Sequence, residues 1–250
     1  TYNVLLGGNN CGGAIIGGGY NVGLGGSSLE HLTTGDNNIA LGYNSGQGNS
    51  TSDHNISLGY TAGDLTGPGN VAIGRGALSG NNSGQYNVGI GYEAGNDVTT
   101  GQDNVLIGKK AGDSLTTGGS NVIIGTEAGD GFTANTTMTL IGHQAGTTIN
   151  SNNANGTVAV GYLSLGALTG GAENTALGSR SGDAATNASG SVFLGFDAGG
   201  TVTTGNRNIA IGLDAMNGGA TTGDNNIAIG AKSGDALTSG YSNTFLGNDS

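Results

Sequence analysis

The chain is poor in almost everything from which reactive sites are usually built. Its 250 residues include one cysteine, one proline, no tryptophan and six basic residues, and the formal net charge is −11. A lone thiol, Cys11, excludes an intrachain disulfide framework. Six lysines and arginines with no basic stripe cannot neutralise a phosphate backbone, so no nucleic-acid partner is expected. No apolar run approaches the ~20 residues of a membrane helix, so no membrane insertion is expected. His31, His54 and His143 occupy unrelated positions and pair with no recurrent carboxylate or cysteine. They do not suggest a metal or catalytic centre, and the chain is not expected to be an enzyme. It also lacks an initiating methionine and a signal peptide, which suits a processed or internal segment of a longer protein.

What the chain does have is glycine, 55 residues of it, without the every-third spacing of collagen. The glycines close a phrase that begins as Asn3-Val4-Leu5-Leu6-Gly7 and ends as Asn243-Thr244-Phe245-Leu246-Gly247. The closing glycines in between stand at 25, 42, 59, 74, 91, 108, 125, 142, 161, 178, 195, 212 and 230. Ten of the fourteen intervals are 17 residues; the others are 15, 18, 18 and 19. A fixed period of this size predicts a stacked repeat in which each unit buries its apolar face against its neighbours.

Alignment on the closing glycine turns the sequence into columns. The residue before the glycine is Leu, Ile or Val in all fifteen copies, and two places earlier stand twelve Val or Ile and three Thr. Two β-branched or aliphatic residues one apart predict a short strand with one buried face. The third residue after the glycine is Ala or Ser in fourteen copies, which predicts an inward, confined position and a flattened coil with two strand-like sides. The second residue after it is charged in eight copies, often with opposite signs on successive turns, as in Glu93, Lys110 and Glu127. That reads as an outward column of stacked pairs. The middle strand residue should face away from the two core aliphatics, yet it is never charged. An outward row of that kind needs a cover, and a second copy of the chain is the simplest one.

The expected fold is therefore all-β: a parallel β-roll or β-solenoid of about fifteen turns of ~17 residues, in a parallel homo-oligomer. Residues 1–20 read as an irregular first turn or junction and residues 21–250 as regular repeats of one elongated domain. With one strand spacing of ~4.8 Å per turn, the whole would be a rod of roughly 70 Å.

Asn70-Val71-Ala72-Ile73-Gly74 and Asn208-Ile209-Ala210-Ile211-Gly212 resemble the head repeats of trimeric autotransporter adhesins. The fuller unit, Asn104-Val105-Leu106-Ile107-Gly108-Lys109-Lys110-Ala111-Gly112-Asp113, looks like arrays in phage tail fibres and related bacterial surface proteins. The resemblance implies a left-handed parallel β-roll assembled as a homotrimer, extracellular, on a virion or cell surface, serving host attachment. A host glycan or protein would be the partner. Two other functions fit a solenoid: ice binding through a flat threonine array, and end-to-end assembly into an extracellular filament.

Individual residues carry further expectations. Stacked in register, Asn38, Asn55, Asn70, Asn87, Asn104 and Asn121 would form an amide ladder; alternatively, each bonds its own turn. Tyr43, Tyr60, Tyr92, Tyr162 and Phe196 follow the closing glycine directly and could stack on host sugars or cover a seam between chains. No cofactor is expected, but Asp113 and Asp130, on adjacent turns, are weak candidates for a calcium ion that would relieve their repulsion. Thr-Thr-Gly recurs at 33–35, 99–101, 116–118, 203–205 and 221–223. Adjacent threonines on a strand point to opposite faces, which favours a turn over an ice-binding array.

Overall fold

The computed structural model describes residues 2–48, 50–80, 83–151 and 153–250. It is an all-β parallel solenoid of fifteen three-residue strands, one per repeat, in two compact units, Thr1–Asn121 and Val122–Ser250. The first unit holds β1 (Val4–Leu6), β2 (Val22–Leu24), β3 (Ile39–Leu41), β4 (Ile56–Leu58), β5 (Val71–Ile73), β6 (Val88–Ile90) and β7 (Val105–Ile107). The second holds β8 (Val122–Ile124), β9 (Thr139–Ile141), β10 (Val158–Val160), β11 (Thr175–Leu177), β12 (Val192–Leu194), β13 (Ile209–Ile211), β14 (Ile227–Ile229) and β15 (Thr244–Leu246). Within each unit every strand pairs in parallel with the next, column on column: Val71 with Val88, Ala72 with Gly89, Ile73 with Ile90.

Backbone conformation explains why the strands are so short. From β2 onward each is framed by residues in the left-handed region, such as Tyr86 before β6 (φ 54°) and Glu93 after it (φ 53°). The closing glycine lies between, at φ 138° for Gly59 and Gly91, where only glycine is comfortable. It is also pressed against its successor. A Cβ on Gly59 would sit 2.7 Å from the carbonyl oxygen of Gly74. These left-handed residues keep the rest of the turn from pleating, so the second strand-like side does not form. Apart from the isolated Val202–Thr221 bridge, the described remainder is turns tied by backbone hydrogen bonds to the neighbouring turn.

The faces of the strand are the reverse of the expectation. The middle residue is the buried one: Ala40, Ala72, Leu106, Ile123, Leu140 and Phe193 have no exposed surface. Its aliphatic neighbours point out, with Ile39 at 37%, Leu41 at 36% and Leu194 at 42%. The physical reason is the asparagine four before the glycine. Its amide needs a dry, fully bonded site, so it turns inward, and the period of two then turns the middle residue inward as well. The residues on either side of the middle one are left outside. The core is completed by the small column, including Ala62, Ala94, Ala111 and Ser181, and by Leu65, Val98, Leu115, Phe132, Ile149 and Leu168, all fully buried.

Volume in this narrow core is shared between two columns. The large Phe193 lies between Gly182 and Gly199, and a Cβ on either glycine would overlap its ring. Leu106 meets Gly95 and Leu140 meets Gly129 and Gly146 in the same way. Where the strand residue is small the partner is large: a Cβ on Gly89 would lie 2.7 Å from Cγ of Leu78. Large-against-glycine and small-against-leucine fill one cross-section in two ways, as close packing demands.

Candidate functional site

Three features stand out on each unit: an internal amide ladder, an outward aliphatic face, and a row of larger side chains along each margin of that face.

The ladder sets the geometry of everything outside it. Asn38, Asn55, Asn70, Asn87, Asn104 and Asn121 are all fully buried in the first unit. The Oδ1 of Asn70 accepts from the backbone N–H of Asn87 at 2.8 Å and from its Nδ2 at 3.2 Å. Nδ2 of Asn87 also donates to the carbonyl of Gly101 at 2.8 Å, and Oδ1 of Asn87 accepts from Asn104. In the second unit Met138 and Thr157 interrupt the pattern, while Ser191 carries it on, donating its N–H to Asn174 and accepting from the N–H of Asn208.

Outside the ladder, the residues three and one before the closing glycine form two parallel aliphatic rows, half-buried to exposed along both units. None of these thirty positions carries a charge. One margin is the residue after the glycine, which contains Tyr43, Tyr60, Tyr92, Tyr162 and Phe196, 39% to 52% exposed. Tyr43 stacks on Tyr60 at 5.7 Å with an interplanar angle of 18°. The Arg75 guanidinium lies between Tyr60 and Tyr92, at 5.9 and 5.3 Å from the ring centres, and donates to the Tyr92 hydroxyl. His143 stacks on Tyr162 at 5.5 Å, and Arg180 lies over Phe196 at 5.9 Å. Several ring faces are thus covered by their neighbours along the row, which leaves edges rather than open platforms.

The other margin is the residue before the ladder asparagine. It contains Tyr2, Tyr20, His54, Tyr86 and Asp103, all exposed, and Tyr2 and Tyr20 lie 5.7 Å apart. Sequence reasoning passed over this row and assigned both aliphatic rows to the core, where the structure turns them outward. The signal that exposes them is the inward asparagine, which fixes the parity of every residue from the ladder to the glycine.

Two pairs that the alternating signs of the charged column suggest are formed, Lys110 with Glu93 and Arg180 with Asp197, and each cation also reaches an aspartate three residues on. Lys110 reaches Glu93 at 3.7 Å and Asp113 at 3.2 Å, and Arg180 reaches Asp197 at 2.7 Å and Asp183 at 3.3 Å. Asp197 is only 6% exposed, so this column is not outward throughout. Partly exposed pairs of this kind contribute little each. Burial pushes the carboxyl groups of Asp113 and Asp183 above the usual range, against the pull of Lys110 and Arg180.

The calcium candidates Asp113 and Asp130 lie in different units. Among the described residues no group of three or more His, Cys, Asp or Glu is placed to hold a metal ion. The histidines do not converge: His31 bonds the Gln47 carbonyl, His54 lies 3.5 Å from Asn37, and His143 is in the aromatic row. The first threonines of the recurrent turns do not present free hydroxyls. Those of Thr99 and Thr221 donate to the carbonyls of Thr116 and Leu237 on the next turn, at 3.1 and 2.9 Å. Among the described residues no helix is long and apolar enough to cross a membrane. Neither family models nor curated proteins give a match to this chain.

Proposed function

We propose that this chain is a structural shaft or head segment of a trimeric phage tail fibre or surface adhesin, with three parallel copies packed on their aliphatic faces. The observation that carries this reading is the outward pair of aliphatic rows with no charge at any position. Covering a Val, Leu or Ile that is about 40% exposed gains about 1 kcal/mol, since full burial is worth about 1.5–3 kcal/mol. In the first unit five of the fourteen such residues are exposed and nine half-buried, which gives about 10 kcal/mol before the costs of association. Those costs are about 4–15 kcal/mol, so a face of this length offsets much of them and one of a few turns does not.

The role that follows is mechanical. A stack of short strands bound by backbone hydrogen bonds and an amide ladder makes a stiff spacer that holds a binding tip away from the particle. The aromatic rows would give weak multivalent contacts along its side. Extracellular placement on a virion or cell surface, and a host glycan or protein as the target, belong to the same proposal. The first test is the solution mass of the chain by native mass spectrometry. A trimer is expected; a monomer at micromolar concentration would overturn the reading.

A further inference from the structure

The charged column closes its ion pairs at Lys110 and leaves them open at Lys232. Lys110 has an opposite charge one turn back in its own column, Glu93 at 3.7 Å, and another three residues on, Asp113 at 3.2 Å. Lys232 has the same two neighbours in sequence, Asp214 on the turn before and Asp235 three residues on. Among the described residues it pairs with neither; the three residues instead line one open cavity of about 240 Å³, together with Asn217 and Gly218. Two local features shape this cavity. Nδ2 of Asn217 donates to Oδ1 of Asp214 at 3.2 Å, which fixes that carboxylate and occupies one of its two oxygens. Gly218 lies against the backbone of Asp235, whose carbonyl oxygen a Cβ there would strike, so the two turns meet closely in the lining.

The lining selects the chemistry of an occupant by elimination. None of the five residues has an apolar side chain, so an aliphatic or aromatic ligand gains little there. Two carboxylates repel an anion. The Lys232 ammonium opposes a metal ion, which also wants more carboxylate and carbonyl oxygens than this wall supplies. A neutral polyol satisfies every group. Its hydroxyls donate to the carboxylate oxygens and accept from the ammonium, and such charge-assisted bonds are roughly twice as strong as neutral ones. Pockets for drug-sized ligands run from about 300 to 1,000 Å³, so this smaller one takes a single ring.

We propose that this cavity binds one neutral sugar ring, with Asp214 and Asp235 accepting from its hydroxyls and Lys232 donating to them. The site is built from two successive turns of one chain, so it does not depend on self-association. It deepens the attachment role proposed above, on which it rests only for the source of the sugar, a host glycan.

The test is saturation-transfer NMR on the whole chain, with glucose, galactose and mannose as separate probes. N-Acetylneuraminate and putrescine serve as anionic and cationic counter-probes. At least one neutral sugar is expected to bind at about millimolar strength, as suits so small a ligand in an open cavity. Asp214→Asn and Lys232→Met should each weaken it about tenfold, since each removes one charge-assisted bond. Asp235→Asn replaces either variant if its circular dichroism shows a loss of fold. Lys110→Met, at the equivalent place where the pairs are closed, should leave sugar binding unchanged. Failure of all three neutral sugars would overturn the proposal. So would binding that survives both substitutions, or tighter binding of putrescine or N-acetylneuraminate than of any sugar. Native mass reads the assembly separately: a monomer that binds sugar sinks the trimer and keeps the site, and a trimer that binds none does the reverse.

Discussion

The sharing of core volume between Phe193 and its flanking glycines gives a quantitative prediction. Phe193→Ala removes a ring that is fully buried. The expected loss is about 3–5 kcal/mol, the usual range for emptying such a site. Gly199→Leu alone should also destabilise. A side chain there overlaps the Phe193 ring, and at φ 65° it adds about 1–2 kcal/mol of left-handed strain. Taken with about 1–3 kcal/mol for overpacking, the single change costs about 3 kcal/mol. Independent effects would sum to about 6–8 kcal/mol in the double variant. The structure predicts far less, about 2–3 kcal/mol, because the leucine occupies the space that the ring vacates and only part of each cost remains. The native precedent is Leu165, left-handed at φ 51° and fully buried, whose own and following strands carry Ala159 and Ala176 at the middle position. Urea denaturation of the four proteins, followed by far-ultraviolet circular dichroism at one protein concentration, measures the cycle. Additivity within about 0.5 kcal/mol would refute the shared-volume account. A loss below about 1 kcal/mol for Phe193→Ala would refute the inward placement of the middle column itself.

Three further outcomes follow from the same geometry. Asn87→Ala removes one rung: the N–H and Nδ2 of Asn104 and the Gly101 carbonyl lose their bonds to it, while Oδ1 of Asn70 keeps the backbone N–H of residue 87 and loses the Nδ2. The expected loss is about 3 kcal/mol by chemical denaturation, with Asn87→Ser losing less because a hydroxyl already serves at Ser191; equal losses would argue against the ladder. In β5, Ala72→Asp should abolish folding while Ile73→Asp should leave circular dichroism intact and shift the native mass towards monomer; the opposite pattern would refute the inward placement of the middle residue. Burial raises the Asp64 carboxyl above its ordinary value, so its ionised form disfavours the folded state at neutral pH, and that penalty fades as pH falls through the raised value. Asp64→Asn should therefore raise the melting temperature at pH 7 and leave it unchanged near pH 4, where the reference carboxyl also protonates; a benefit equal at both pH values would show that the charge is not its cause.

The fold was legible because the period is carried by residues whose roles do not depend on context. A glycine at φ near 130°, an aliphatic before it and an Ala or Ser after it recur whatever fills the rest of the turn. The face of the strand was not legible from apolarity alone. Val71 and Ile73 are more hydrophobic than Ala72, and hydrophobicity assigns them to the core, where a monomer would need them. The deciding residue is polar. Asn70 buries its amide completely, and a single inward asparagine sets the parity for the four residues after it. The margin rows were equally hidden, since a tyrosine beside a turn glycine looks like ordinary surface until the row behind it is seen to be aliphatic.

This inversion changes what the chain's own chemistry requires. A solenoid that worked alone would carry polar residues three and one before the closing glycine, because these face out, half-buried to exposed. Over fifteen turns only Thr139, Thr175 and Thr244 are polar there. The inward middle column, by contrast, accepts anything from glycine to phenylalanine, provided that its partner column compensates. Constraint is therefore tighter outside the chain than inside it, which is the reverse of a monomeric fold. A surface held that uniformly over fifteen repeats is what supports the proposed self-association. In the proposed assembly, the backbone hydrogen bonds and amide ladder would resist bending within each unit, and the aliphatic rows, covered by other copies, would resist it between chains.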